Sequence, residues 1–242
     1  MANPVLVNNI DHKNVKIDTR RSAELGDNVW FTLTFPDEFR AVQTHYPIFF
    51  QKDPNTGEFF PVALFGFAQN ENLFLDENGW DAGYVPLFVQ RQPFTIGTQM
   101  QTIDGQSQEN RVLTMDMDHP RVNEEHGEPL FLEFGGNSDY LERIAGMMET
   151  LHLGNEQNKD FIACLNELEL LEAVNVDVQL NDGSKHQMVG FYTINEEKLD
   201  QLPDDKLAGL VKSKYLFFIH MVLASQTNIS HLLKRKNRQL GL

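Results

Sequence analysis

The chain has 242 residues, a formal net charge of -15 at pH 7 and an isoelectric point near 4.8. This charge disfavours nucleic acid and anionic membrane surfaces as partners, because both are bound by clustered Lys and Arg. A single cysteine, Cys164, excludes an internal disulfide and a cysteine-built zinc site. The length accommodates one large domain or two small ones.

The N-terminus carries no pattern typical of secretion. Residues 1–10 have neither a basic region nor the long apolar run of a signal peptide. No stretch of the sequence reaches the ~20 consecutive apolar residues of a membrane span. We therefore expect a cytoplasmic protein that does not associate with a membrane.

The first 135 residues are predicted to be rich in β-structure. Short runs of β-branched and aromatic residues alternate with Gly, Pro and Asn turns, which is typical of strands and hairpins. The predicted strands are residues 5–7, 15–17, 30–35, 48–51, 59–67, 73–75 and 112–117, and one or two helical turns are predicted within 37–44.

The stretch from Gly79 to Gly97 stands out within this part. It contains Trp80, one of two tryptophans, and Arg91, the only basic residue between positions 52 and 111. The apolar density of residues 84–89 predicts a strand covered on both faces. Pro93 is expected to end that strand, because proline cannot donate to a ladder.

Residues 136–242 are predicted to be rich in helices. A helix is expected to start at Asp139 and to break at Gly154, where a second helix follows. Alternating valines predict a strand over 174–180, with a turn at 181–183 and a partner over 187–194. Short helices follow, and a buried helix is expected over about 214–238. The predicted fold is a single α+β domain over residues 1–242, β-rich over 1–135 and rich in helices and a hairpin over 136–242.

One segment, from Asp116 to Glu128, concentrates carboxylates and imidazoles. Such groups can bind a divalent metal, so a metal-assisted enzyme is one hypothesis. Their spacing matches neither a calcium-binding loop nor a zinc-protease helix. A solvated acidic loop is the favoured interpretation, and we expect neither a metal nor a cofactor. The residues concerned are Asp116, Asp118, His119, Glu124, Glu125, His126 and Glu128.

Arg91 has two interpretations. A buried guanidinium normally has a carboxylate partner, so a structural ion pair is favoured. Guanidinium also suits carboxylate and phosphate ligands, which leaves an anion site open. On the second interpretation the candidate ligand-binding residues are Trp80, Tyr84, Arg91 and Phe94. No catalytic residue is predicted, because the chain has no P-loop, no dinucleotide fingerprint and no nucleophile elbow.

Two further residues are interpreted as structural. His220 lies within the apolar run of the last helix, and a hydrogen-bonded core histidine is favoured over a catalytic base. Cys164 lies on an apolar helix stripe, where nothing nearby in the sequence would lower its pKa. A structural thiol is therefore favoured over a nucleophile.

Three stretches of the sequence together resemble the bacterial SapC family. They are the segment from Tyr84 to Phe94 (YVPLFVQRQPF), the segment from Gly127 to Phe131 (GEPLF) and a C-terminal run. That run comprises residues 182–183, 190–192, 197–199, 215–220 and 223–225. The resemblance covers most of the chain. It implies an intracellular protein of unsettled function, often encoded near flavin-dependent halogenases, cupin-like proteins and outer-membrane receptors, with no agreed catalytic residues to carry over.

The favoured function is a non-enzymatic binding or accessory protein. It would hold a small ligand or a partner protein near the segment from Tyr84 to Phe94, and the resemblance suggests a neighbouring flavin-dependent halogenase system as partner. A metal-assisted enzyme and a surface-layer structural protein remain as alternatives. Whether the chain forms a homo-oligomer is left open.

Overall fold

The computed structural model describes residues 3–103 and 106–242, and it confirms an α+β fold with about 34% helix and 27% strand. The strands are β1 (Pro4–Leu6), β2 (Lys16–Ile17), β3 (Phe31–Leu33), β4 (Ile48–Lys52), β5 (Phe59–Leu64), β6 (Leu75–Asp76), β7 (Gly79–Trp80), β8 (Phe94–Ile103), β9 (Gln106–Asp116), β10 (Val122–Asn123), β11 (Glu128–Pro129), β12 (Leu171–Gln179) and β13 (Lys185–Ile194). The helices are α1 (Phe39–Val42), α2 (Leu87–Gln90), α3 (Asp139–Glu167), α4 (Glu196–Asp200), α5 (Asp204–Lys212), α6 (Tyr215–Ser225) and α7 (Asn228–Gln239).

The chain forms two compact units, each built from two separate stretches. Unit 1 contains residues 3–27 and 87–152 of the described chain, and unit 2 contains residues 28–86 and 153–242. The division therefore does not follow the β-rich and helix-rich halves of the sequence. In unit 2, one sheet combines strands from both halves, in the order β12-β13-β4-β5-β3.

Unit 1 is organised by two small antiparallel sheets, β1-β9-β8 and β10-β2-β11. In the second sheet, Ile17 is fully buried and pairs with Val122 on one side and Glu128 on the other. Gly127 precedes Glu128 with φ +105°, and a Cβ there would meet the Ile17 carbonyl oxygen at 2.2 Å. Only glycine allows this close approach, which accounts for the start of the GEPLF segment.

The core of unit 2 is aromatic. Phe49 on the central strand β4 contacts Phe191 of β13, with ring centroids 5.8 Å apart. Helices cover the sheet through a further cluster, in which the ring of Phe161 lies 6.0 Å from those of Phe39 and Phe218. The edge-to-face geometry of these rings adds to the stability gained from their burial.

Helix α3 does not break at Gly154, so that prediction was wrong. The 29 residues from Asp139 to Glu167 form one helix. A Cβ at position 154 would lie 2.4 Å from the Phe35 ring, which shows that the glycine allows Phe35 to pack against the helix backbone. Glycine costs about 1 kcal/mol of helix propensity, and this packing outweighs that cost. The helix start is capped by Ser138, whose Oγ accepts from the Leu141 amide at 3.1 Å.

The strand predicted over residues 84–89 is not formed. Pro86 is followed by the helical turn α2, closed by the Arg91 amide donating to the Leu87 carbonyl oxygen at 2.9 Å. Proline fixes φ near the helical value and lacks an amide hydrogen, so it favours the start of a helix. Pro93 precedes a strand instead of ending one, since β8 begins at Phe94.

The C-terminal region consists of α6 and α7 in close succession, where the sequence predicted one helix. The helix α6 buries Phe218, Ile219 and Val222, while Leu216 is half-buried and His220 is exposed. His220 is therefore not a core histidine. By length and composition alone, the stretch Tyr215–Gln239 could cross a membrane, because it contains an 18-residue window of mean hydropathy 1.2, and core helices of soluble proteins pass the same test.

Candidate functional site

Two of the predicted ligand-binding residues, Trp80 and Tyr84, belong to a hydrogen-bonded network in unit 2. The Trp80 Nε1 donates to the Tyr46 hydroxyl at 2.8 Å, and that hydroxyl donates to the Tyr84 carbonyl oxygen. The Tyr84 hydroxyl donates to Glu38 Oε1 at 2.8 Å, and Thr34 donates to Glu38 Oε2 at 2.7 Å. Burial and the nearby Glu38 carboxylate raise the pKa of Tyr84, so it remains a donor. Both side chains are thus engaged in packing unit 2.

The other two, Arg91 and Phe94, lie in unit 1. Arg91 Nη1 donates to the Phe94 carbonyl oxygen at 2.5 Å, and the guanidinium lies 5.6 Å from the centre of the Phe88 ring. Among the described residues Arg91 forms no ion pair, and its buried Nε has no hydrogen-bond partner. Burial alone lowers its pKa. Phe94 is fully buried and contacts Tyr140, with ring centroids 6.3 Å apart.

Unit 1 contains a pocket of about 290 Å³ that the sequence did not reveal, and we call it the arginine pocket. Its charged and donor side chains are Arg21, Arg121, Arg143, Tyr140, Gln90 and Gln92; its apolar side chains are Ile17, Ile144 and Met147, and Asp18, Thr19 and Glu128 complete the lining. The segment from Tyr84 to Phe94 therefore contributes Gln90 and Gln92 to the pocket.

Helix α3 supplies one wall of the arginine pocket. Tyr140 lies three and four residues before Arg143 and Ile144, and Met147 lies three and four residues after Ile144 and Arg143, so the four share one face of the helix. Tyr140 is buried at this face, and the Arg143 guanidinium lies 5.9 Å from the centre of its ring. Burial raises the pKa of Tyr140 to about 12, so its hydroxyl stays protonated at neutral pH.

A buried cluster of charges contributes Arg21 and Arg121 to the lining. Arg121 is 1% exposed, and its Nη2 contacts Asp27 Oδ2 at 2.6 Å. Arg21 Nη1 contacts the other carboxylate oxygen of Asp27 at 3.2 Å. Arg121 Nη1 also donates to the carbonyl oxygens of Asp18 and Arg20, at 2.8 and 2.6 Å. Two guanidinium groups thus share one carboxylate, and burial together with repulsion from Arg121 lowers the pKa of Arg21.

Two polar atoms at the pocket are buried and have no hydrogen-bond partner: Nε of Arg121 and Oε1 of Gln92. The Tyr140 hydroxyl also forms no hydrogen bond with another described residue. Buried polar groups are nearly always paired, and each exception needs a reason. A polar ligand in the arginine pocket would supply these missing partners.

The segment from Asp116 to Glu128 does not assemble a metal site. Over residues 3–103 and 106–242, no group of three or more His, Cys, Asp and Glu side chains is placed to hold a metal ion. Asp116 accepts from the Asn3 amide at 2.8 Å. His126 instead contacts Asp18 at 3.2 Å, and the Arg20 side chain holds the pKa of Asp18 well below its usual range. The acidic segment therefore reaches the lining of the arginine pocket through the contact of His126 with Asp18.

Unit 2 contains a larger and more open groove of about 660 Å³. Leu216, Phe217 and His220 of α6 line it, and the Arg40 guanidinium lies 4.9 Å from the centre of the Phe217 ring. It has no buried polar atom without a partner in its lining, so it shows less sign of a specific ligand than the arginine pocket.

The sequence reasoning missed Arg21, Arg121, Tyr140 and Arg143. The three- and four-residue spacing on α3 was a usable signal for Tyr140 and Arg143, since it places them on the face that also carries Ile144. No sequence signal links Arg21 to Arg121, because they are about 100 positions apart and meet only through their shared carboxylate.

Comparison with known families gives one result. The sequence model of the SapC family matches residues 7–232, which is nearly the whole chain. No curated protein and no solved structure was found to match this sequence. The segments with which the resemblance was identified, from Tyr84 to Phe94 and from Gly127 to Phe131, lie within the matched range.

Proposed function

This chain belongs to the SapC family, and we propose that it acts as a non-enzymatic binding protein that holds a small ligand in the arginine pocket of unit 1. The observation that carries the proposal is the pair of buried polar atoms without partners, Arg121 Nε and Gln92 Oε1, at the lining of a preformed concave site. The pocket combines three apolar side chains with several convergent polar groups, and convergent polar groups are what orient a ligand in a small-molecule site.

The described residues favour binding over catalysis. No group of His, Cys, Asp and Glu among them is arranged for a metal ion, and the metal-assisted alternative has no other support. Burial raises the pKa of the Cys164 thiol, which disfavours a thiolate nucleophile. The lining of the arginine pocket offers guanidinium, amide and phenol donors, which bind and orient a ligand, and it contains no histidine.

A fragment screen read by NMR tests this proposal. Neutral, cationic and anionic fragments are added to the full chain with labelled Ile and Met methyl groups. We expect a subset to shift the signals of Ile144 and Met147 and to be recovered chemically unchanged. If no fragment moves these signals, or if bound fragments are converted to products, the proposed function is wrong.

A matched pair of variants locates the binding. Met147→Trp fills the arginine pocket from a half-buried position, whereas Met100→Trp makes the same change on β8 at a position that is 63% exposed. We expect the first variant to lose the Ile144 methyl shifts and the second to keep them. Equal loss in both variants would contradict binding in the pocket.

A further inference from the structure

We infer that the ligand of the arginine pocket is a small organic carboxylate, whose charged group is held by Arg121 Nε, Arg143 and the Tyr140 hydroxyl and whose apolar part lies against Ile144 and Met147. The inference rests on the proposed function, since it names the class of ligand for the same pocket. Three observations support it: the charge around the pocket, the donors there that have no hydrogen-bond partner, and the shape of the pocket.

The charge around the pocket contrasts with that of the whole chain. Arg21 and Arg121 share the carboxylate of Asp27, so one positive charge of this cluster is not balanced by it. Arg143 forms no ion pair within the part of the chain that the structure describes. The lining has two acids, Asp18, which Arg20 and His126 engage, and the exposed Glu128. With Arg20 and Asp27 included, four arginines stand against three carboxylates. In a protein of net charge -15, this cationic surplus favours an anion.

A carboxylate provides the acceptor that Arg121 Nε lacks, whereas Gln92 Oε1 is itself an acceptor and needs a donor from elsewhere on the ligand. An N–H group such as Arg121 Nε needs an acceptor, and leaving it buried without one costs free energy. The Tyr140 hydroxyl is protonated and able to donate throughout the neutral range, and burial raises its pKa further, to about 12. A carboxylate has two oxygens with about four acceptor positions, so one group can satisfy both donors and Arg143 together.

The shape of the pocket limits the rest of the ligand. Its volume of about 290 Å³ lies at the lower end of the ~300–1,000 Å³ usual for ligand sites. Ile17, Ile144 and Met147 form its apolar lining. The pocket therefore suits one charged group on a short apolar body, and it does not offer room for a nucleotide or a polyphosphate.

A pair of probes with nearly the same shape tests the class of ligand. The sodium salt of 3-phenylpropionic acid and the neutral 3-phenylpropionamide are titrated into the full chain by calorimetry, with Ile144 and Met147 methyl shifts reporting the place of binding. We expect the carboxylate to bind about tenfold or more tightly than the amide, because hydrogen bonds to a charged group are the stronger ones. Equal affinity, or tighter binding of the amide, overturns the inference.

Variants assign the carboxylate to its partners. Arg143→Gln removes an exposed guanidinium from the pocket, and we expect the affinity for 3-phenylpropionate to fall about tenfold while the melting temperature of the free protein is unchanged. Tyr140→Phe is expected to reduce the affinity for 3-phenylpropionate less than Arg143→Gln does. The control is Arg111→Gln, which removes the same charge from β9, where Arg111 pairs with Glu149 at 3.4 Å. Equal weakening by the control would show a general charge effect and contradict the inference.

A third probe and the fragment screen separate the possible failures. Inorganic phosphate is the third probe. If it shifts the Ile144 and Met147 methyl signals more strongly than 3-phenylpropionate does, the ligand is a phosphate and not a carboxylate, and the inference is overturned. If neutral fragments move these signals and no carboxylate does, the inference fails and the binding function stands. If no compound moves them, both fail.

Discussion

Both units contain a buried polar network, and the two networks differ in how completely they are paired. In unit 2, Glu38 accepts from Tyr84 and Thr34, and the Tyr46 hydroxyl both donates and accepts. In unit 1, the cluster around Asp27 and Arg121 leaves the Arg121 Nε without a partner at the edge of a pocket. Unit 2 also has one unpartnered buried atom, Asn158 Oδ1, beside Thr34, so the difference teaches that incomplete pairing indicates a ligand when it coincides with a pocket that carries surplus charge.

The largest effect on stability is expected from Asp27→Asn. This change keeps the shape of the side chain but removes the carboxylate that Arg21 and Arg121 share. Because Arg121 is 1% exposed, its charge would be left buried and uncompensated, and the free energy of unfolding should fall by about 3–5 kcal/mol. Urea denaturation measures this loss. A loss below about 1 kcal/mol would mean that the cluster does not stabilise unit 1.

A smaller effect is expected from Tyr84→Phe. The variant removes the donor that faces Glu38 Oε1, and breaking a buried hydrogen bond of this kind costs about 1–3 kcal/mol. We expect lower stability and an unchanged affinity for 3-phenylpropionate, measured by thermal denaturation and calorimetry. A stable variant with weakened binding would restore Tyr84 to the ligand site and reverse the comparison between the two networks.

Arg91→Gln is expected to change the stability little. The guanidinium has no ion-pair partner among the described residues, and burial lowers its pKa, so removing the charge relieves a desolvation cost. The lost hydrogen bond to the Phe94 carbonyl oxygen and the contact with Phe88 act in the opposite direction. The free energy of unfolding should stay within about 1 kcal/mol of the wild-type value. A loss of several kcal/mol would reveal a carboxylate partner and support the structural ion pair favoured from the sequence.

The smallest effect concerns pH and Asp18. Arg20 lowers the folded-state pKa of Asp18, so this contact adds stability that is fully present above the unfolded value of about 3.9 and is lost as the pH falls towards the folded-state pKa. Arg20→Gln should therefore be less stable than the wild type at pH 6, and the difference should shrink below about pH 4. Urea denaturation between about pH 2 and 6 measures it. A difference that is constant with pH would exclude the ion pair as its cause.

Local patterns predicted much of the fold. Alternating valines and the turn at 181–183 gave the hairpin of β12 and β13, and Asn195 caps α4 by accepting from the Lys198 amide at 2.8 Å. The predictions of local structure that were wrong failed because of contacts between residues that are far apart in the sequence. The break expected at Gly154 follows from helix propensity, whereas in the continuous helix this glycine lies against Phe35, about 120 positions away.

The candidate site was less predictable than the fold. The segment from Tyr84 to Phe94 was singled out for its composition, and its residues Gln90 and Gln92 do line the arginine pocket. The arginines of that pocket were not identified, because Arg21 and Arg121 are adjacent only in the folded unit. Whether Arg91 itself contacts a ligand stays a prediction.

The five-stranded sheet of unit 2 also sets the order in which the chain becomes able to fold. Its central strand β4 pairs with β13 through Tyr192 and Phe50, which are about 140 residues apart. At a synthesis rate of ~5–20 residues per second, roughly 7–30 s pass before β13 follows β4 out of the ribosome. During that time the hairpin of β4 and β5, rich in Phe, has an unpaired edge. This interval is when the nascent chain is most exposed to aggregation and to capture by chaperones.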